Sequence, residues 1–326
     1  MNSTTTEEYT TSKFNIFYTI AALLTASFHV VGLCLMYFID FKPAIQRIII
    51  MNLALTELMC CLTQAGLYIE NLVDAENWGR QPVLSTMYLV AMTFSFTSYK
   101  LVMLYLIMDR FSDIFLNLRY ALYFDRKRVL KILSSLWICS ACYGVIMGIC
   151  GAIDITSGGL DKLRDLYQIH NIISVSLDGI IMLMAIITYV YFFIIVYKMV
   201  KADQALQRVK KLKNIAMKFL LPFLMVANFL TFNVGSTIMF EMAWESEGDT
   251  RDKLGRWAMF MLISGFLLDS VLYIFLQRGI RDFLKSKMMR VQRINSTTTI
   301  QRGNSTTAIE VIQRGHSTTT IGVTAV

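Results

Sequence analysis

The sequence predicts a bundle of seven membrane-crossing helices, an all-α membrane protein, and three observations lead there. The 326-residue chain is 55% hydrophobic and only 17% charged, with a mean hydropathy of +0.52. A water-soluble domain of this length has too little interior to hide so much apolar surface. The apolar residues gather into runs of about twenty, the length a helix needs to cross a hydrocarbon core of about 30 Å. Strand-length alternation of apolar and polar residues is missing, which speaks against an outer-membrane barrel.

The runs, in order, are Ile16 to Ile39, Ile48 to Ile69, Val83 to Met108, Ile132 to Ile153, Ile172 to Val196, Ile215 to Phe240 and Trp257 to Leu276. They divide the chain into an N-terminal segment (1–14), the bundle (15–277), a short amphipathic segment (278–290) and a polar tail (291–326). The N-terminus is polar and acidic with no basic stretch ahead of an apolar one, so no cleaved leader is expected.

Charge predicts the orientation. With the N-terminus outside, 23 of the 31 Lys and Arg residues fall on the cytoplasmic loops and tail. That asymmetry follows the positive-inside rule. The net charge of +8 is thus an orientation signal, and its spread over every inner loop disfavours a nucleic-acid surface. The six cysteines, Cys34, Cys60, Cys61, Cys139, Cys142 and Cys150, all lie in apolar runs without metal-site spacing, as small packing residues do. His29, His170 and His316 are scattered, and no metal or catalytic set forms around them. Neither an enzyme nor a cofactor is expected.

The stretch Asp109-Arg110-Phe111-Ser112-Asp113-Ile114-Phe115-Leu116-Asn117-Leu118-Arg119-Tyr120 follows the third run. It resembles the end of helix 3 and the second inner loop of rhodopsin-like G protein-coupled receptors, D-R-Y-x-x-I-x-x-P-L-x-Y. Asn52-Leu53-Ala54-Leu55-Thr56-Glu57-Leu58 is similar to that family's N-L-A-x-x-D-L in helix 2. Trp137 stands where the family has a tryptophan in helix 4, and Asp269-Ser270-Val271-Leu272-Tyr273 resembles N/D-P-x-x-Y in helix 7. Four matches in register on a seven-span chain make a far more specific signal than any one of them. The resemblance implies a receptor that binds an extracellular ligand and activates heterotrimeric G proteins from the plasma membrane. The rival reading is a seven-helix transporter or channel. Transporters usually carry internal repeats and helices broken by Gly or Pro near the membrane midplane, and neither is found here.

The departures from the family narrow the ligand. Span 1 lacks the Gly-Asn pair, and His29 lies near that place. Span 6 lacks the C-W-x-P pattern. Ser85 occupies the place of the helix 3 cysteine and the loop Asp154 to His170 has none, so the family's outer disulfide is not expected. Met92 stands where amine receptors keep an Asp, which disfavours a biogenic amine. Span 7 has no lysine for retinal, with Ile263 at that position.

Site residues follow from these matches. The resemblance assigns coupling and activation to Asp109, Arg110, Phe111, Leu118, Tyr191 and Tyr273. Asp109 is the expected resting partner of Arg110. Tyr273 and Tyr191 are candidates to catch Arg110 in an active state.

Charged residues inside a membrane span are costly and usually paired or functional. Glu57 lies about 13 Å from its end of span 2, Lys100 about 15 Å from Arg110, and Asp269 about 10 Å from its end of span 7, at 1.5 Å per residue. These three share one layer with Asn52 nearby and form a candidate polar site. Either Lys100 supplies a cation to the two acids, or one carboxyl is protonated. Asp178 in span 5 has two open readings, an ion pair with Lys100 or a contact to ligand. Met92, Thr93, Phe96 and Asp178 are the pocket candidates. The loop from Glu241 to Asp252 reads as an acidic, solvated connection.

After span 7, Ile280, Phe283, Leu284 and Met288 fall on one face of a helix with basic residues opposite, the pattern of a helix lying on the inner leaflet. It is similar to the family's eighth helix. The tail repeats an Arg three residues before a Ser, at Ser296, Ser305 and Ser317. Phosphates there would suit an arrestin. The terminal Thr324-Ala325-Val326 fits the pattern a PDZ domain reads. Asn2 opens a glycosylation sequon.

Overall fold

A computed structural model describes residues 3–38, 44–73, 82–116, 120–156, 160–202 and 219–276. Seven long helices account for nearly all of them: α1 (Ser3–Phe38), α2 (Ala44–Val73), α3 (Pro82–Leu116), α4 (Arg126–Thr156), α5 (Leu160–Ala202), α6 (Phe219–Glu245) and α7 (Gly248–Leu276). One further turn, Tyr120–Tyr123, lies between α3 and α4. No strand occurs among the described residues. Each long helix contains a segment apolar and long enough to cross a bilayer, the architecture of a multi-pass membrane protein.

The helices are apolar for two different reasons. Large residues such as Ile20, Leu24, Ile146, Ile149, Leu183 and Phe193 point away from the bundle. The interior instead collects His29, Glu57, Lys100, Asp109, Arg110, Asp178 and Asp269, all nearly or fully buried. A lipid-facing surface explains the first set. The second needs partners within the bundle, because unpaired polar groups are expensive there.

α3 is central and packs on α2, α4 and α5, while α1 joins α2 to α7 and α6 lies against α7. α4 comes close to α3 through Gly144 and Gly148. A Cβ at Gly144 would lie 3.1 Å from the Phe94 Cβ, and one at Gly148 would overlap Val90. Trp137 stacks edge-on against Phe94 at 5.6 Å in the same contact.

The helices run past their apolar segments, and this corrects two loops. The connection expected from Asp154 to His170 is helical again from Leu160, and the acidic loop expected from Glu241 to Asp252 is helical on both sides of Ser246 and Glu247. The α6–α7 turn is this tight because Gly248 adopts φ +58°, a conformation that only glycine takes without cost. Beyond the turn, Lys253 pairs with Asp249 at 2.6 Å one turn away, so charged residues here decorate a helix.

α6 contains a π turn at Phe229–Asn233, where the Val234 N–H donates to the Phe229 carbonyl. One extra residue is thereby accommodated midway along the helix. The Asn228 amide, just before it, donates to the Gly265 carbonyl of α7 at 2.8 Å.

Candidate functional site

Three buried polar groupings lie along the bundle. The first closes the last turns of α3. Arg110 donates to one carboxylate oxygen of Asp109 through Nε at 3.0 Å and also through Nη2. The Tyr120 hydroxyl donates to the other oxygen. Asp113 approaches Arg110 Nη1 at 3.7 Å, and the Phe219 ring of α6 faces the guanidinium at 5.9 Å. The pair is almost completely buried, with Asp109 fully so. Burial, and then the Asp109 carboxylate, push the Tyr120 phenol well above its usual range, so it stays a donor.

The coupling candidates fall differently in space. Phe111 stacks on Phe115 and meets the Tyr191 ring at 6.0 Å. Tyr191 is thus an aromatic neighbour of α3 without a hydrogen bond to Arg110 in this structure. Tyr189, two residues earlier, is the buried tyrosine of α5 within electrostatic reach of Arg110, and its hydroxyl has no partner. Sequence reasoning chose Tyr191 because nothing anchored the rotation of α5. Leu118 lies outside the described residues, as do Lys210 to Lys213.

The second grouping joins α1, α2 and α7. Tyr273 donates to Glu57 at 2.7 Å, and His29 Nδ1 lies 3.5 Å from the same oxygen. Asp269 faces Glu57 and the Asn228 amide. His29, Glu57, Asp269 and Tyr273 are all fully buried. Tyr273 is therefore engaged with Glu57 and not with Arg110. Both Asp269 oxygens and the Glu57 Oε1 lack a hydrogen-bond donor. Two carboxyls side by side under these conditions call for a shared proton or a bound cation.

Lys100 is not that cation. Its ammonium donates to Asp178 Oδ2 at 2.7 Å, to Ser174 Oγ at 2.5 Å and to the Ser174 carbonyl at 3.3 Å. Thr237 of α6 donates to the same Asp178 oxygen at 3.2 Å. This corrects the grouping of Lys100 with Glu57 and Asp269. Residue spacing along a helix sets how far along it a residue lies. It does not fix rotation about the helix axis, and Lys100 faces α5. Asn52 also stands apart, its amide donating to the Ile48 carbonyl of its own helix at 2.8 Å. His29 and Tyr273 complete the acid pair in its place.

Above Lys100 lies the third feature, a chamber of about 230 Å³ between α2, α3, α5, α6 and α7. Met92 and Phe96 line it, whereas Thr93 is buried outside its wall and its hydroxyl has no partner. Asp178 reaches the chamber through Lys100 and Thr237, which do line it. A wider, more open hollow of about 450 Å³ adjoins it near the α6–α7 turn, with Phe240, Trp244 and Met259 in both walls.

Among the described residues no group of three or more His, Cys, Asp or Glu could hold a metal ion. No protein-family model matches the chain, and no curated protein matches it. The tail sites Ser296, Ser305, Ser317, Thr324 and Val326, the sequon at Asn2 and the amphipathic segment 278–290 lie outside the described residues.

Proposed function

We propose that this protein is a rhodopsin-like receptor of the plasma membrane, with its N-terminus outside. A ligand binds in the chamber, and heterotrimeric G proteins respond at the Arg110 end. It signals by changing shape and performs no chemistry of its own. The observation that carries the reading is the buried Asp109–Arg110 pair at the end of α3. A guanidinium buried at a helix end and held by its own neighbour can exchange one partner set for another when the helices move. Such a group biases two helix arrangements against each other. Tyr120 on the second Asp109 oxygen gives the present arrangement one more bond to break. The unpartnered Tyr189 hydroxyl supplies an acceptor for a released Arg110.

The test is expression in cells carrying a panel of G protein dissociation sensors, first without added ligand, comparing wild type with Arg110→Ala at matched surface level. Loss of all G protein response in the variant supports the receptor. Equal responses sink it.

The transporter reading draws on one feature, a buried Lys–Asp pair beside a π turn in the middle of the bundle. Solute uptake into vesicles that survives Arg110→Ala would favour it.

A further inference from the structure

The chamber above Lys100 carries two buried polar atoms without a well-formed hydrogen bond to any described residue. Gln64 of α2 and Asn233 of α6 both line it, and their side chains are almost fully buried. Gln64 Oε1 has no donor. Asn233 Nδ2 faces the Tyr99 hydroxyl outside the geometry of a full hydrogen bond. Buried polar groups are seldom left in this state, because each costs the desolvation of an unmade bond. Asn233 ends the π turn, and π turns inside α-helices frequently mark functional sites.

Charge narrows what can enter. The deep end of the chamber holds Lys100, but its three donors are already taken by Ser174 and Asp178. The Lys–Asp pair is neutral as a unit. At that end a ligand with a net charge would find no free counter-charge among the described residues and would lose its hydration. Among the described residues the only other charged side chain in the wall is the half-buried Glu241, four residues beyond Thr237 toward the α6–α7 turn. The apolar part of the wall is mostly ring and thioether, with Phe96, Phe240, Trp244, Met92 and Met259, and the uncharged polar side chains of Asn171 and Ser236 stand among them. At about 230 Å³ the space is below the range usual for drug-sized ligands.

We propose that the chamber binds a small, uncharged, aromatic molecule bearing one group that both donates and accepts a hydrogen bond, a hydroxyl or a primary amide. Gln64 Oε1 takes the donated hydrogen and Asn233 Nδ2 supplies the other. The rings and methionines enclose the apolar part. The inference rests on the receptor reading only in taking the chamber as the ligand site.

The test uses the full chain, purified in nanodiscs, and four probes on one skeleton: benzyl alcohol, benzamide, benzoate and benzylamine. Thermal unfolding is followed as each is titrated. Benzyl alcohol and benzamide are expected to raise Tm saturably, and benzoate and benzylamine to leave it unchanged. Gln64→Leu and Asn233→Leu should each weaken binding about tenfold, the loss of one hydrogen bond. Tm without probe is measured for each variant alongside, which separates a loss of binding from a loss of fold. Met92→Trp fills the chamber from α3, leaves both amides in the sequence and should abolish binding. It keeps the test decisive if a Leu variant fails to fold.

The proposal is overturned if neither neutral probe binds saturably, or if the Leu variants bind as tightly as wild type. It is also overturned if benzylamine binds and Glu241→Gln removes it. Because the readout needs no G protein, the two readings fail separately. Probe binding with no G protein response in cells ends the receptor reading alone. Ligand-independent G protein response with no probe binding ends this inference alone.

Discussion

The Lys100 ammonium sits 2.7 Å from the Asp178 carboxylate in the middle of the bundle, with both side chains only 4% exposed. It ties α3 to α5 and, through Thr237, to α6. Removing one partner strands the other charge in an apolar interior, a loss of about 3–5 kcal/mol. Lys100→Met and Asp178→Leu should each lower the Tm of purified protein strongly. The double variant should recover most of the loss, since an apolar pair can replace a buried ion pair at little cost. A double variant no better than the worse single would remove the pair from the account.

Glu57 and Asp269 should behave as one unit. Glu57→Gln supplies an amide donor to the unsatisfied carboxyl opposite while keeping an acceptor for Tyr273, so it should leave Tm level or raise it. Asp269→Asn should do the same. Their effects should be non-additive by at least about 1 kcal/mol, as for groups in one hydrogen-bond network. Lys100→Met should add to either without coupling, because its bonds lie elsewhere. Coupling of Lys100 to this pair, measured by the same cycles, would contradict the geometry.

Tyr120 should hold the Arg110 end in its present arrangement. Tyr120→Phe removes the hydroxyl on the second Asp109 oxygen and weakens the hold on Arg110. In the receptor reading, the ligand-free signal from G protein sensors should then rise above wild type at equal surface level. Asp109→Asn should raise it further. A fall in both variants would make the Asp109 contacts part of the active form.

Gly148 should be a contact that tolerates nothing larger. Gly148→Ala places a methyl against Val90 and should destabilise the protein by about 1–3 kcal/mol, the usual range for overpacking. Val90→Ala should restore much of the loss. Unfolding of the single and double variants in detergent measures both.

The tail should act in two separable parts. Each Arg-x-x-Ser gives a basophilic kinase its basic residue at a fixed offset, and each phosphate adds about −1.5 to −2 charges. Changing Ser296, Ser305 and Ser317 to Ala should slow internalisation and spare PDZ-domain pull-down. Val326→Asp should do the reverse. If each change alters both readouts equally, the tail is a single unit.

Seven spans and their approximate positions were legible in the sequence. A backbone in lipid must satisfy its own hydrogen bonds, so a run of about twenty apolar residues has one stable form, and its rise per residue sets depth. The Asp109–Arg110 end could likewise be found from adjacent residues alone. What faces what was decided only in three dimensions. Residue spacing groups Lys100 with Glu57 and Asp269, yet Lys100 turns to α5 while Glu57 meets His29 and Tyr273. Tyr189 is the buried tyrosine where the sequence points to Tyr191, and Gln64 and Asn233 line one chamber from helices far apart in the chain. Rotation about a helix axis depends on side chains packed from neighbouring helices, on close approaches such as Gly148 on Val90, and on an extra residue in a π turn. None of these alters local hydropathy, so the sequence determined the spans and the tertiary packing decided the partners among them.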